Sequence, residues 1–235
     1  MPAQFVREHA PESFAPLLAE LHRKPLPTNF DRTVVGQGKS QAFGLIRRWS
    51  YRPYLSRNTW MRPELWQMLQ DWAASELPAG FQWDAIQVNQ DYASKPHRDK
   101  GNRGQSYIVG FGPYTGGALN VEGTAQDIRH RGHLFCGAEQ EHWTEPWAGE
   151  RFSLVFFSIE WPTKFAPGYS IQSRIVADGL EITDGYDKSV LILDRKGHIV
   201  RTVQAAEPRP WVGRVCSRGA PSRNPAFLPP STPSA

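Results

Sequence analysis

His97 and Asp99, separated by one residue, and His142 further along the chain could hand two imidazoles and one carboxylate to a single metal ion. Such a set on one face of iron(II) leaves coordination positions open for a small co-substrate and dioxygen. An HxD triplet alone reads as a surface loop. It gains meaning from the strand-like run that follows His142, Arg151-Phe152-Ser153-Leu154-Val155-Phe156-Phe157-Ser158, reached by a short step through Pro146 and Gly149. Alternation along a strand sends Arg151, Ser153, Val155 and Phe157 to one face. If that face is the inside of a barrel, the guanidinium needs an anionic partner, and its fork of donors matches a carboxylate in two-point fashion. A dicarboxylate with one end at the metal and the other at Arg151 meets both demands.

At His97, Asp99, His142, Arg151 and Ser153 the chain resembles the 2-oxoglutarate and Fe(II)-dependent dioxygenase superfamily, whose shared pattern is HxD, a distal His and an Arg-x-Ser soon after it. Within it, Pro96-His97-Arg98-Asp99-Lys100-Gly101-Asn102, with Tyr114-Thr115-Gly116-Gly117-Ala118-Leu119 after it, looks most like the TET/JBP type, oxidisers of thymine or 5-methylcytosine. The Gly-Gly-x-Leu turn and the short step from His142 to Arg151 also resemble prolyl-hydroxylase-like members. The resemblance covers residues 81–158. It implies Fe(II) held by His97, Asp99 and His142, and 2-oxoglutarate as co-substrate with Arg151 and Ser153 on its distal carboxylate. It further implies decarboxylation to succinate and CO2, coupled to oxidation of a substrate C–H bond by dioxygen. Asn89 and Tyr92 lie where related oxygenases place groups that contact 2-oxoglutarate, and Tyr107 begins the next strand, from which its hydroxyl could donate to the co-substrate. The spacing of Asn89 and Tyr92 puts them on opposite strand faces, so at most one is expected to reach the co-substrate.

The substrate is less legible. Arg98, Lys100 and Arg103 form a basic cluster beside the expected metal, and with a net charge of +4 they would suit DNA or RNA phosphates. Trp143 and Trp147 flank the distal His and could stack a base or line an apolar pocket. Three readings follow: a nucleobase oxygenase of the TET/JBP kind, a hydroxylase of protein side chains or small molecules, and a non-catalytic cupin-like or nucleic-acid-binding module. His130 and His133 compete with His142 as ligands, but the run Arg129-His130-Arg131-Gly132-His133 is too positive to attract a cation and reads as an exposed hairpin turn. Gly116-Gly117 reads as a sharp turn that shapes the pocket.

The elements that must position these residues are mainly strands. Runs at residues 85–91, 106–111, 118–121, 133–136 and 151–159 match a double-stranded β-helix, the jelly-roll architecture of cupins, giving a mainly β fold with flanking helices. A short helix is expected from Pro11 through Leu21. A second opens at Pro63-Glu64, carries Leu65, Trp66, Leu69, Trp72 and Ala73 at helical spacing, and stops at Leu77-Pro78. Residues 43–49 read as strand. The expected division is a support region 1–80, an oxygenase core 81–178, a hairpin appendage 179–206 turning at Asp194-Arg195-Lys196-Gly197, and a disordered tail 207–235 rich in Pro, Ser and Arg. Nine tryptophans and 40% hydrophobic residues make a substantial core achievable for 235 residues despite 20 prolines. Two distant cysteines, Cys136 and Cys216, form no disulfide framework and favour a reducing compartment. No apolar leader opens the chain and no run is long enough to span a bilayer, so the expectation is a soluble intracellular protein, cytoplasmic or nuclear.

Overall fold

The structure, a computed structural model, describes residues 3–28, 38–46, 54–159, 171–176, 179–184, 190–194 and 199–203. The chain divides into two compact units, residues 1–43 with 68–160, and residues 44–67 with 161–235.

The first unit is a jelly roll. Its strands are β1 (Gln4–Glu8), β2 (Lys39–Ile46, running into the second unit), β4 (Ala85–Gln90), β5 (Asn102–Phe111), β6 (Tyr114–Gly116), β7 (Leu119–Val121), β8 (Thr124–Gln126), β9 (Arg131–Phe135), β10 (His142–Thr144), β11 (Trp147–Gly149) and β12 (Phe152–Ile159). A large antiparallel sheet takes the order β1-β9-β5-β12-β4-β2, and two smaller pieces, β10-β7-β8 and β11-β6, make the opposing layer. The chain therefore crosses between layers repeatedly, and the last core strand β12 is inserted between β4 and β5. That insertion is characteristic of double-stranded jelly rolls.

Register decides which residues face the interior. On β12, Ser153 lies opposite Asn89 and Gly110, and Val155 opposite Gln87 and Ile108. Val155 and Ile108 pack with Leu119, Val121, Ile128 and Phe135, so this parity is the face between the layers. The other parity, with Phe152, Leu154, Phe156, Tyr107, Val109 and Phe111 all fully buried, lies under the helices. A 3-10 turn, Pro11–Phe14, leads into α1 (Ala15–Arg23), and α3 (Pro63–Glu76) supplies Trp72. Phe14 stacks on Phe111 with centroids 4.9 Å apart, and Trp72 stacks on Phe156 at 5.7 Å. Burying each such side chain stabilises the fold by about 1.5–3 kcal/mol.

In the second unit, Ser56 caps α2 (Arg57–Met61) by accepting from the Asn58 N–H, and the end of β2 pairs with β3 (Tyr54–Leu55). The strands β13 (Ile171–Val176), β14 (Gly179–Asp184), β15 (Val190–Asp194) and β16 (Ile199–Val203) make an antiparallel meander.

Several expectations change. The expected boundary at 178 falls between β13 and β14, which pair along their whole length and so share one sheet. Residues 1–43 join the first unit because β1 pairs with β9. The same pairing turns most of the expected basic hairpin into strand: β9 starts at Arg131, and His133 is buried beside Phe5. The β15–β16 hairpin forms, while its turn 195–198, residues 47–49, Cys216 and the tail 207–235 lie outside the described residues.

Candidate metal centre

His97 and His142 are brought together by backbone pairing. Their N–H and C=O groups bond reciprocally, at 3.1 Å and 2.9 Å, and their rings sit 4.3 Å apart. The pairing extends the β10–β7 ladder, in which His142 faces Val121 and hence the interior. Asp99 enters from the same loop as His97, fixed by its N–H bond to the Gly137 carbonyl at 2.7 Å. One carboxylate oxygen lies 3.6 Å from His97 Nε2 and the other 3.6 Å from His142 Nε2. All three ligand atoms fall within 4.8 Å of one another. Two metal–ligand bonds of about 2.1 Å meeting at an angle span separations of this order.

The surroundings decide which nitrogen is available. His97 Nδ1 donates to the Lys95 carbonyl at 2.7 Å and His142 Nδ1 to the Gln140 carbonyl at 3.0 Å. A carbonyl only accepts, so both Nδ1 atoms carry a proton, which leaves the two Nε2 atoms, both facing Asp99, as the ones free to ligate. Asn102 Nδ2 donates to Asp99 at 3.3 Å, and Phe135 stands edge-on to the His142 ring. A methyl group on Gly137 would come within 3.2 Å of the Asp99 carboxylate. His142 is buried, whereas the Asp99 side chain is 34% exposed, so the cluster opens to solvent on the carboxylate side. Two neutral imidazoles and one carboxylate suit a divalent ion such as iron(II) or zinc, and the open side admits further ligands.

Arg151 lies on the interior face with 2% exposure, just before β12. Its backbone exchanges hydrogen bonds with Asp91, its Nε donates to the Gly117 carbonyl at 3.1 Å, and its guanidinium lies 5.6 Å from the Tyr114 ring and 5.7 Å from the Trp147 ring. Among the described residues, no carboxylate forms an ion pair with it. Burial accordingly pulls its pKa below the ordinary guanidinium range, opposed by Tyr114 and Asp91. Ser153 is buried beside it on the same face and accepts from Asn89 Nδ2 at 3.2 Å.

Of the candidate residues, His97, Asp99 and His142 converge, and Arg151, Ser153 and Asn89 share the interior face. Tyr92 follows the end of β4 and packs against Gly38. Tyr107 is placed elsewhere. It pairs with Phe156 on the helix-covered face, and its hydroxyl bonds to His9 Nε2 at 2.6 Å. Arg98 is committed to the Glu139 carbonyl and to Glu122, whereas Lys100 and Arg103 are exposed. Sequence reasoning missed Tyr114, whose buried hydroxyl adjoins Arg151; the signal was its place four residues after a glycine in a strand.

No protein-family model matches the chain, and no curated protein matches it. Among solved structures it is similar to NgTET1 in complex with 5mC DNA, with a TM-score of 0.45 and 15% identity over 64% of this chain and 67% of that one. It is also similar to a 2OG-Fe(II) oxygenase family oxidoreductase from Burkholderia pseudomallei, with a TM-score of 0.44 and 18% identity over 66% of this chain and 84% of that one. A Pseudomonas putida prolyl-4-hydroxylase gives a TM-score of 0.41 and 18% identity over 67% of this chain and 94% of that one.

Proposed function

We propose that this chain is an Fe(II)- and 2-oxoglutarate-dependent dioxygenase that oxidises a substrate C–H bond with release of succinate and CO2. The observation that carries the reading is the convergence of His97 Nε2, His142 Nε2 and the Asp99 carboxylate in an open cluster, inside a jelly roll that also buries Arg151. His97, Asp99 and His142 would hold the iron. Bound there, it would supply the activation of dioxygen and of the keto acid end of 2-oxoglutarate. Arg151 neutralises the far carboxylate of the co-substrate and Ser153 donates its hydroxyl to it, fixing the length and direction of the bound acid. Lys95 and Gln140, through their carbonyls, hold both imidazoles in the tautomer that ligation requires. Asn102 keeps the carboxylate turned toward the histidines.

For the substrate we propose a nucleobase of DNA or RNA, with Lys100 and Arg103, both exposed beside the metal loop, meeting phosphates. A second reading, a hydroxylase of protein side chains or small molecules, is favoured by the Glu122 carboxylate beside Arg98. Glu122 is exposed and pairs with Arg98 at 3.6 Å, which removes that cation from the basic cluster. The two are separated by succinate release with iron(II) and 2-oxoglutarate, measured in parallel with methylated DNA, RNA and a peptide panel. Stimulation by a polynucleotide, lost in Lys100→Ala/Arg103→Ala, supports the first. Stimulation by peptides alone refutes it, and no succinate with any of them counts against the dioxygenase reading.

A further inference from the structure

The Arg151 pocket holds more donors than the protein itself employs. The guanidinium uses Nε on Gly117, and its remaining donors meet no carboxylate among the described residues. Ser153 accepts from Asn89, which leaves its own proton to give. Tyr114, 2% exposed, has a buried hydroxyl that adjoins the Arg151 guanidinium, which can only donate to it, and among the described residues its own proton finds no acceptor. Leaving a buried hydroxyl unpaired is costly, so the site is incomplete without an acceptor.

The location of that hydroxyl follows from a missing side chain. Tyr114 starts β6, where it pairs with Gly149 of β11, and its ring reaches back across the interior to Gly110 of β5. A methyl group on Gly110 would overlap the Tyr114 oxygen. Gly110 is the register partner of Ser153, so the phenol stands over the gap beside the serine and next to Arg151. Any other residue at Gly110 would close that gap. Burial raises the phenol to about 12, with Arg151 pulling the other way, so it keeps its proton near neutrality and acts as a donor.

We infer that the Tyr114 hydroxyl, admitted by the bare backbone of Gly110, donates to the distal carboxylate of the acid held by Arg151. This rests on the proposed function, since 2-oxoglutarate is the acid in question. Guanidinium and serine from the β12 segment and the phenol from β6 then converge on one carboxylate, which satisfies the buried phenol and helps neutralise the ligand.

The test is equilibrium binding to the full chain loaded with Mn(II), followed by tryptophan fluorescence, because Trp147 lines the pocket. Two acids are titrated: 2-oxoglutarate, and 2-oxopentanoate, which lacks the distal carboxylate. Tyr114→Phe should weaken 2-oxoglutarate by about tenfold or more, as for a hydrogen bond to a charged group. It should leave 2-oxopentanoate and Mn(II) binding unchanged. Equal 2-oxoglutarate affinity in Tyr114→Phe and wild type, with Arg151→Ala weakened, overturns the inference and leaves the proposed function standing. Equal loss for both acids also overturns it, because the role is then structural. If wild type with Mn(II) binds no 2-oxoglutarate, both fall together. Should Tyr114→Phe fold poorly, the wild-type near-UV difference spectrum decides: a tyrosine band shift with 2-oxoglutarate and none with 2-oxopentanoate supports the bond, and identical spectra refute it.

Discussion

Tyr107→Phe separates the two faces of the large sheet. The Tyr107 hydroxyl donates to His9 Nε2 at 2.6 Å, and His9 Nδ1 in turn donates to Glu76 at 2.7 Å. This arrangement satisfies a neutral His9, whose side chain is fully buried, and ties the segment after β1 to the end of α3 and to β5. Removing the hydroxyl strands the His9 Nε2 lone pair and opens a void beside Gly132, against whose backbone the hydroxyl is pressed. A buried acceptor left without its donor costs about 1–3 kcal/mol. At about 2–4 °C per kcal/mol for a chain of this size, the midpoint should drop by roughly 2–12 °C. Thermal unfolding by circular dichroism reads this. Because Tyr107 lies on the face opposite Arg151 and Ser153, the same variant, assayed below its transition, should bind 2-oxoglutarate with wild-type affinity. Weakened 2-oxoglutarate binding with an unchanged midpoint would refute both the register and the relay.

Three further outcomes are expected. Gly117→Ala should weaken 2-oxoglutarate binding while sparing metal binding, since Gly117 has φ +66° and a Cβ there would press within 2.8 Å of the Arg151 side chain; isothermal titration of each ligand checks this. Asn102→Ala should reduce Mn(II) affinity by about 10- to 100-fold in a metal titration, because the Asp99 carboxylate loses the donor that orients it. His9, His130 and His133 are each held below the ordinary imidazole range, chiefly by burial. The unfolded chain therefore takes up more protons as pH falls through about 6.5, so their contribution is complete above that pH and lost below it. Urea unfolding at stepwise pH should show that decline, and its absence in His9→Gln would assign the largest share to His9.

The closeness of His97 and Asp99 was legible because its information is local, whereas His142 joins them only through its pairing with the His97 backbone. His97 and Asp99 share one loop, and the parity of Arg151 and Ser153 needs only the strand they lie on. What failed depends on a neighbour's register. Nothing within β5 says that Tyr107, and not Ile108, shares a face with Phe156, and the interior pairing of Ser153 with Gly110 settles the question only once β12 is placed between β4 and β5. Four of the five three-residue strands, β6, β8, β10 and β11, are too short for alternation to show. Tyr114 escaped for the complementary reason, since its importance comes from an absent side chain at Gly110. The basic run at 129–133 read as turn because its charge was visible and its partner β1, far away in sequence, was not.

On the proposed function, His97, Asp99 and His142 would hold one metal ion and the co-substrate would bind through it. The direct measurement is a paired titration of the full chain, first with Mn(II) as a redox-inert stand-in for iron(II), then with 2-oxoglutarate in the presence and absence of the metal, in wild type and in His97→Ala, Asp99→Ala and His142→Ala. One ion per wild-type chain, markedly weakened in each variant, with 2-oxoglutarate binding tightly only when the ion is present, is the predicted result. Undiminished metal binding in the variants, or 2-oxoglutarate binding that ignores the metal, would contradict it.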